Sequence, residues 1–195
     1  EMVIARANHG ISYRTRFQLI AAMNPCGCGR AGEPGYTCRH GTNCQDRYLA
    51  KISGPIIDRI DIRITVSSVS AVDLALSPTK EGTAEVRSRV IWAREKQRAR
   101  YQSLGAHRVS VNADCPPALL DEVAKPDNAG ERLLREAAAH FGLSARGYHR
   151  TLRLARTLAD LDGEEIVRSI HIAEALVLRG ESLGDKGNVS HRAGS

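Results

Sequence analysis

Two groups of residues in this 195-residue chain have types that can do chemistry, and the first also has the spacing for it. The first is four cysteines, Cys26, Cys28, Cys38 and Cys44, spaced C-x-C-x9-C-x5-C in a stretch rich in Gly, Pro, Arg, His and Asn. Four thiolates in one irregular loop match the ligand count of a structural zinc site, and closing the loop on a metal supplies order that its composition lacks. His40 is available to replace one ligand. Reduced structural thiols are the competing reading, because the spacing is not the usual paired C-x-x-C. The second group is Asn24, Arg59, Arg146 and Arg150. An amide can donate to a phosphate oxygen or orient a water, and a guanidinium can stabilise charge on a transferring phosphoryl group.

Each member of the second group also has a plainer use. Asn24 stands before Pro25 and can simply turn the chain. Arg59 can pair with its neighbours Asp58 or Asp61, a contact worth little at a surface. Arg146 falls in the first turn of an expected helix, where backbone N–H groups and the macrodipole favour an anion, so a cation there is unfavourable unless something negative is near. Cys115 stands apart beside Pro116 and reads as inert. Gly27-Cys-Gly-Arg-Ala-Gly32 satisfies G-x-G-x-x-G, but Glu33-Pro34-Gly35 follows it instead of a helix, so it is discounted as a dinucleotide loop. Arg87, Arg89, Arg94, Lys96, Arg98 and Arg100, continued by His107 and Arg108, form the most basic stretch. That stretch is either a surface for nucleic-acid phosphates or a solvated helix face partly offset by Glu85 and Glu95.

The elements that must position these residues can be read in outline. Met2 to Ala5 suggests a strand or edge hairpin. Phe17 to Met23 has the length of a buried strand stopped by Asn24-Pro25, which would put Asn24 at the carboxyl end of that strand, where ligands bind in open α/β sheets. Gln45 to Ile52 suggests a short helix, Ser53-Gly54-Pro55 a turn, and the period of two over Ile60, Ile62, Ile64 and Val66 a second strand. Ser67 to Glu81 reads as a linker. Beyond it the spacing turns helical: Gly82 to Leu104 with Val86, Val90, Ile91 and Ala93 on one side, a shorter helix opened by Pro116-Pro117 and running through Val123, Gly130 to Phe141 ending at Gly142, Ser144 to Leu161 burying Leu152, Ala155, Leu158 and Ala159, and Ile170 to Leu178. Gly180 to Ser195 is polar and is expected to be disordered.

Composition bounds the answer. A content of 42% hydrophobic and 26% charged residues is that of a globular protein, and 4% aromatic residues predicts an aliphatic core. The net charge of +6 favours an anionic partner. No apolar run is long enough to span a bilayer and no signal peptide opens the chain, so a cytoplasmic protein without membrane contact is expected. Five cysteines, an odd number, argue against a disulfide framework.

Ala21-Ala-Met-Asn-Pro-Cys-Gly-Cys-Gly29 and Ile52-Ser-Gly-Pro-Ile-Ile-Asp-Arg-Ile-Asp61 resemble the motifs of the magnesium-chelatase-like AAA+ ATPases, in their ComM/YifB branch. The resemblance runs from Arg6 to Arg179 and departs at Arg14, where the family usually has proline. It implies an α/β remnant, the C-terminal part of an AAA+ nucleotide-binding sheet over 1–70, then a linker over 71–81 and an all-α helical lid over 82–179, with 180–195 as tail; the whole is mainly helical. It implies sensor 1 at Asn24, an arginine finger at Arg59 acting on a neighbouring subunit's nucleotide, and sensor 2 at Arg146, with Arg150 one turn on as a further candidate. No G-x-x-x-x-G-K-[ST] stretch occurs, so the chain is expected to be the C-terminal part of a longer protein and inactive alone. The implied cofactor is ATP with Mg2+ and the implied assembly a homo-hexameric ring. The implied task is movement or branch migration on DNA during natural transformation. A chelatase-type motor inserting metal into a tetrapyrrole and a non-catalytic zinc-dependent binding module are the alternatives.

Overall fold

The computed structural model describes residues 1–6, 9–15, 17–29, 38, 43–66, 69 and 81–180. They divide into two compact units, Glu1–Ile52 and a second beginning at Ser53. His40, the linker from 71 to 80 and the tail from 181 lie outside the described residues.

In the first unit the expected edge hairpin forms. Strands β1 (Met2–Arg6) and β2 (His9–Tyr13) pair antiparallel, with Met2 opposite Tyr13 and Arg6 opposite His9. Helix α1 (Cys44–Leu49) follows the cysteine segment. The strand expected over Phe17 to Met23 is absent: these residues have no regular structure, and Phe17 and Ile20 are 75% and 85% exposed. Asn24 therefore does not stand at the end of a strand. An apolar run becomes a strand only against a neighbour that accepts its backbone hydrogen bonds, and among the described residues β1 and β2 pair only with each other.

The second unit is helical. Helix α2 (Gly54–Ile57) opens it, with Pro55 in the first turn, where its missing N–H costs nothing. The run Ile60 to Val66 forms no strand either, and Ile62, Ile64 and Val66 are exposed. The bundle consists of α3 (Thr83–Ser103), a 3-10 turn (Asn112–Asp114), α4 (Pro117–Val123), α5 (Asn128–Phe141), α6 (Ala145–Leu161) and α7 (Ser169–Leu178). Helix α6 is central and touches α3, the 3-10 turn, α4 and α7. Its Leu152, Ala155 and Ala159 are buried, with Leu158 half-buried, among Leu120, Leu134, Ile172 and Leu176.

Local chemistry sets these boundaries. The Asp127 carboxylate accepts from Gly130 N at 2.6 Å to start α5, and Gly142, at φ 60°, ends it in the left-handed region. Ser144 Oγ accepts from Gly147 N at 3.0 Å to start α6. Gly130 also marks a close approach, since a Cβ there would stand 3.1 Å from Pro126 Cβ and 3.3 Å from Ser169 N.

Helix α3 buries a different face from the expected one. Every residue from Thr83 to Trp92 is exposed, Val86, Val90 and Ile91 included, and the buried residues are Ala93, Gln97 and Tyr101. A polar network takes the place of an apolar stripe. Gln97 Oε1 accepts from Asn112 N at 3.1 Å, and Tyr101 donates to Asn112 Oδ1 at 2.9 Å. Asn112 Nδ2 donates at 2.8 Å to Asp160, which also takes Arg100 and Arg156. Burial works against the Arg100 charge, but hydrogen bonding and attraction to Asp160 outweigh it and raise its pKa; at Arg156 burial prevails and lowers it.

Candidate functional site

The Asp58–Arg63 turn carries one candidate arginine and rests on two others. Helix α2 delivers it, and Asp58 N closes the helix on Gly54 O at 2.9 Å. The Asp58 carboxylate lies over the first turn of α6. Ser144 Oγ donates to it at 3.3 Å, Arg146 Nη1 is 3.9 Å away, and Arg179 Nη2 is 4.0 Å away. Asp61 pairs with Arg150, one helical turn beyond Arg146. Further along, Arg63 N donates to Leu178 O at 2.7 Å and the Arg63 guanidinium donates to Arg179 O. Arg179, only 3% exposed, returns a hydrogen bond to Ile60 O at 3.4 Å. The turn is thus stapled to the start of α6 and the end of α7.

Arg59 projects from the same turn. Its Nη1 donates to Pro55 O at 2.6 Å, it is exposed, and it makes no ion pair among the described residues. The plainer reading from sequence, a pair with Asp58 or Asp61, is not what forms, because both acids face the helices. Arg146 and Arg150 form a basic cluster on α6, for which Asp58 and Asp61 supply the counter-charge, and Arg59 stands on the turn between those two acids. Such a cluster can hold a polyanion, and guanidiniums do so with directed hydrogen bonds. Asp58, Asp61, Ser144 and Arg179 were not recognised as its members from sequence. Their partners lie at least 86 residues away in the chain, and no local pattern carries such pairings.

The first unit holds the other candidates. The Sγ atoms of Cys26, Cys28 and Cys44 lie within 4.8 Å of one another, and Cys38 Sγ is 3.3 Å from Cys28 Sγ. Cys26 and Cys28 approach to 2.8 Å, longer than a disulfide bond of about 2.05 Å. All four expected cysteines are gathered, and Cys26 and Cys44 are buried. Sulfurs at the corners of a zinc tetrahedron with bonds of about 2.3 Å stand about 3.8 Å apart, so Cys26, Cys28 and Cys44 suit three corners with small adjustments, and Cys38, beside Cys28, is at hand for the fourth. Asn24 belongs to this unit, its amide beside Gly29, and Arg59, Arg146 and Arg150 to the other. Cys115 lies apart in the helical core, where burial pushes its thiol pKa up.

No helix among the described residues is long and apolar enough to cross a membrane. Residues 1–74 match the magnesium chelatase subunit ChlI family, and residues 80–179 match the ChlI C-terminal family. Competence protein ComM of Haemophilus influenzae is 38% identical over 92% of this chain, and an uncharacterized protein of Mycobacterium tuberculosis 37% over 92%. YifB of Escherichia coli, also uncharacterized, is 33% identical over 90%. The chain spans about a third of the length of these curated relatives, 34%, 34% and 33% respectively. Both halves of the chain and the relatives' names agree, and the chain belongs to the magnesium-chelatase-like family, in its ComM/YifB branch.

Proposed function

We propose that this chain is the part of a ring-forming AAA+ ATPase that reads nucleotide from two sides, with Arg59 reaching the triphosphate of a neighbouring subunit and Arg146 and Arg150 answering to phosphate from the helical lid. The observation that carries this reading is the exposed Arg59 on a turn stapled to the helix that bears Arg146 and Arg150. A finger of this kind stabilises charge on the transferring phosphoryl group and is worth ~10³ to 10⁵ in rate. Asn24 is proposed as the amide that orients water or γ-phosphate, in a longer chain whose sheet gives it a strand end. The energy of ATP hydrolysis, with Mg2+ on the phosphates, drives movement or branch migration on DNA, as the likeness to competence protein ComM suggests.

The test uses the full-length protein. Arg59→Ala should reduce ATPase activity by ~10³ or more. Mixing it with a variant that lacks the phosphate-loop lysine but keeps Arg59 should restore part of the activity, because mixed rings contain sites with an intact loop facing an intact finger. Absence of recovery in rings shown to mix would overturn the shared site. The 195-residue chain, with no phosphate-loop motif, should show no turnover by itself. Stimulation of the full-length ATPase by single-stranded DNA is expected; stimulation by a tetrapyrrole and its metal instead would point to a chelatase-type motor.

The gathered cysteines favour a second, compatible reading: Cys26, Cys28, Cys38 and Cys44 hold a structural zinc that orders the segment after Asn24. Metal analysis should find one zinc per chain, lost in Cys26→Ser/Cys44→Ser. Four thiols titrating freely in the native, metal-free protein would refute it.

A further inference from the structure

A carboxylate of the chain already sits where the phosphate-sensing cluster would receive an anion. The start of α6 offers backbone N–H groups and the positive end of a 17-residue helix dipole, with Arg146 in its first turn and Arg179 beside it. The Asp58 carboxylate lies 3.9 Å from Arg146 Nη1 and 4.0 Å from Arg179 Nη2. Ser144 Oγ donates to it at 3.3 Å, and a Cβ on Gly147 would lie 3.6 Å from its Oδ1. Gly147 is buried there, so the carboxylate stands close against the backbone of the first turn. Asp61 does the same one turn on, paired with Arg150.

We propose that Asp58 is an internal placeholder anion, which occupies the anion position at the start of α6 and must be displaced before a nucleotide phosphate can engage Arg146. The inference rests on the reading of Arg146 as a phosphate ligand. It adds a switch to that reading. Two anions cannot share one guanidinium and one helix end without repulsion, so phosphate binding expels Asp58. Asp58 precedes Arg59, and its release removes one of the staples on the turn that carries the finger, while Asp61–Arg150 and Arg63–Leu178 remain. Phosphate on the lid arginine is thereby coupled to the setting of Arg59 through one residue, with Asp61 and Arg150 holding the turn as a second rung.

The coupling is measurable on the 195-residue chain with inorganic triphosphate as the probe, titrated at low ionic strength and followed through the guanidinium NMR signals of Arg146 and Arg59. Asp58→Asn keeps a partner for Ser144 and removes the charge. It should bind triphosphate roughly five- to tenfold more tightly than the wild type, the size expected for one like charge removed from a partly exposed site. Asp58→Glu should bind as the wild type does. In the wild type the Arg59 signal should move together with that of Arg146; in Asp58→Asn it should be shifted before triphosphate is added. Arg146→Ala should abolish the gain. Unchanged or weaker binding by folded Asp58→Asn, while Arg146→Ala still weakens binding, would overturn the placeholder alone. Wild-type affinity in Arg146→Ala would overturn the reading of Arg146 and this inference with it.

Discussion

Arginines do opposite kinds of work in this chain, and burial separates them. Arg156 is 2% exposed and anchored on all sides. Its Nε donates to Asp160 at 3.1 Å, and its terminal nitrogens donate to the Glu164 and Glu165 carbonyls. Asp160, fully buried, neutralises both Arg156 and Arg100 and accepts from Asn112. Removing its charge leaves a buried guanidinium uncompensated, which costs about 3–5 kcal/mol. Asp160→Ala should therefore lower the unfolding free energy by about that amount in urea titrations. Arg59→Ala, at an exposed site with one backbone hydrogen bond, should change it by no more than about 0.5 kcal/mol. A large loss at Arg59 would mean that the turn depends on this side chain for its shape, and the ATPase test of the finger would then need the conservative Arg59→Lys beside it.

Helices α3 and α6 meet through Tyr101, Asn112 and Cys115, and this contact responds to alkali. Burial raises the pKa of Tyr101 and of Cys115 above their ordinary values of about 10 and about 8.5. The folded chain thus holds protons that the unfolded chain sheds, and stability falls with pH wherever the unfolded state binds fewer. The contribution is complete below about pH 8.5 and is lost as pH climbs through the unfolded values toward the raised folded ones. Urea midpoints should decline from pH 8.5 to pH 10.5. Tyr101→Phe should start lower, for want of the hydrogen bond to Asn112, and decline less. These contacts also mark the limit of what the sequence conveys. The caps at Ser144 and Gly142 and the buried stripe of α6 are legible, because they depend on residues within one or two turns. The buried face of α3 is not, because periodicity counts apolar residues and this face is built on Gln97, Arg100 and Tyr101. Among the candidate site residues, the gathering of Cys26, Cys28, Cys38 and Cys44 follows from their closeness in the chain. The grip of Asp58 on the start of α6 joins segments 86 residues apart and could be seen only in the folded chain.

At the scale of the whole molecule, two stretches have strand-like sequence and no strand. Phe17, Leu19, Ile20 and Met23 in one unit and Ile62, Ile64 and Val66 in the other are at least 49% exposed, far more apolar surface than isolated exposed side chains account for. β-Pairing is not a local property: a run with the right period needs a neighbour that accepts its hydrogen bonds, and the relatives this chain matches are about three times its length. Hydrogen exchange can decide whether the runs are strands lacking a partner or native surface. In the 195-residue chain the amides from Phe17 to Asn24 and from Ile60 to Val66 should exchange rapidly, with Ile60 and Arg63 the slow exceptions because their N–H groups donate to Ile57 O at 3.1 Å and Leu178 O at 2.7 Å. In a protein of the relatives' full length both stretches should be protected as strands, and protection should reach the residue before Asn24, which would give that amide the strand end that its proposed role requires. Rapid exchange at both stretches in the longer protein would remove Asn24 from the nucleotide site, while leaving the arginine cluster of the helical unit to be judged by its own titrations.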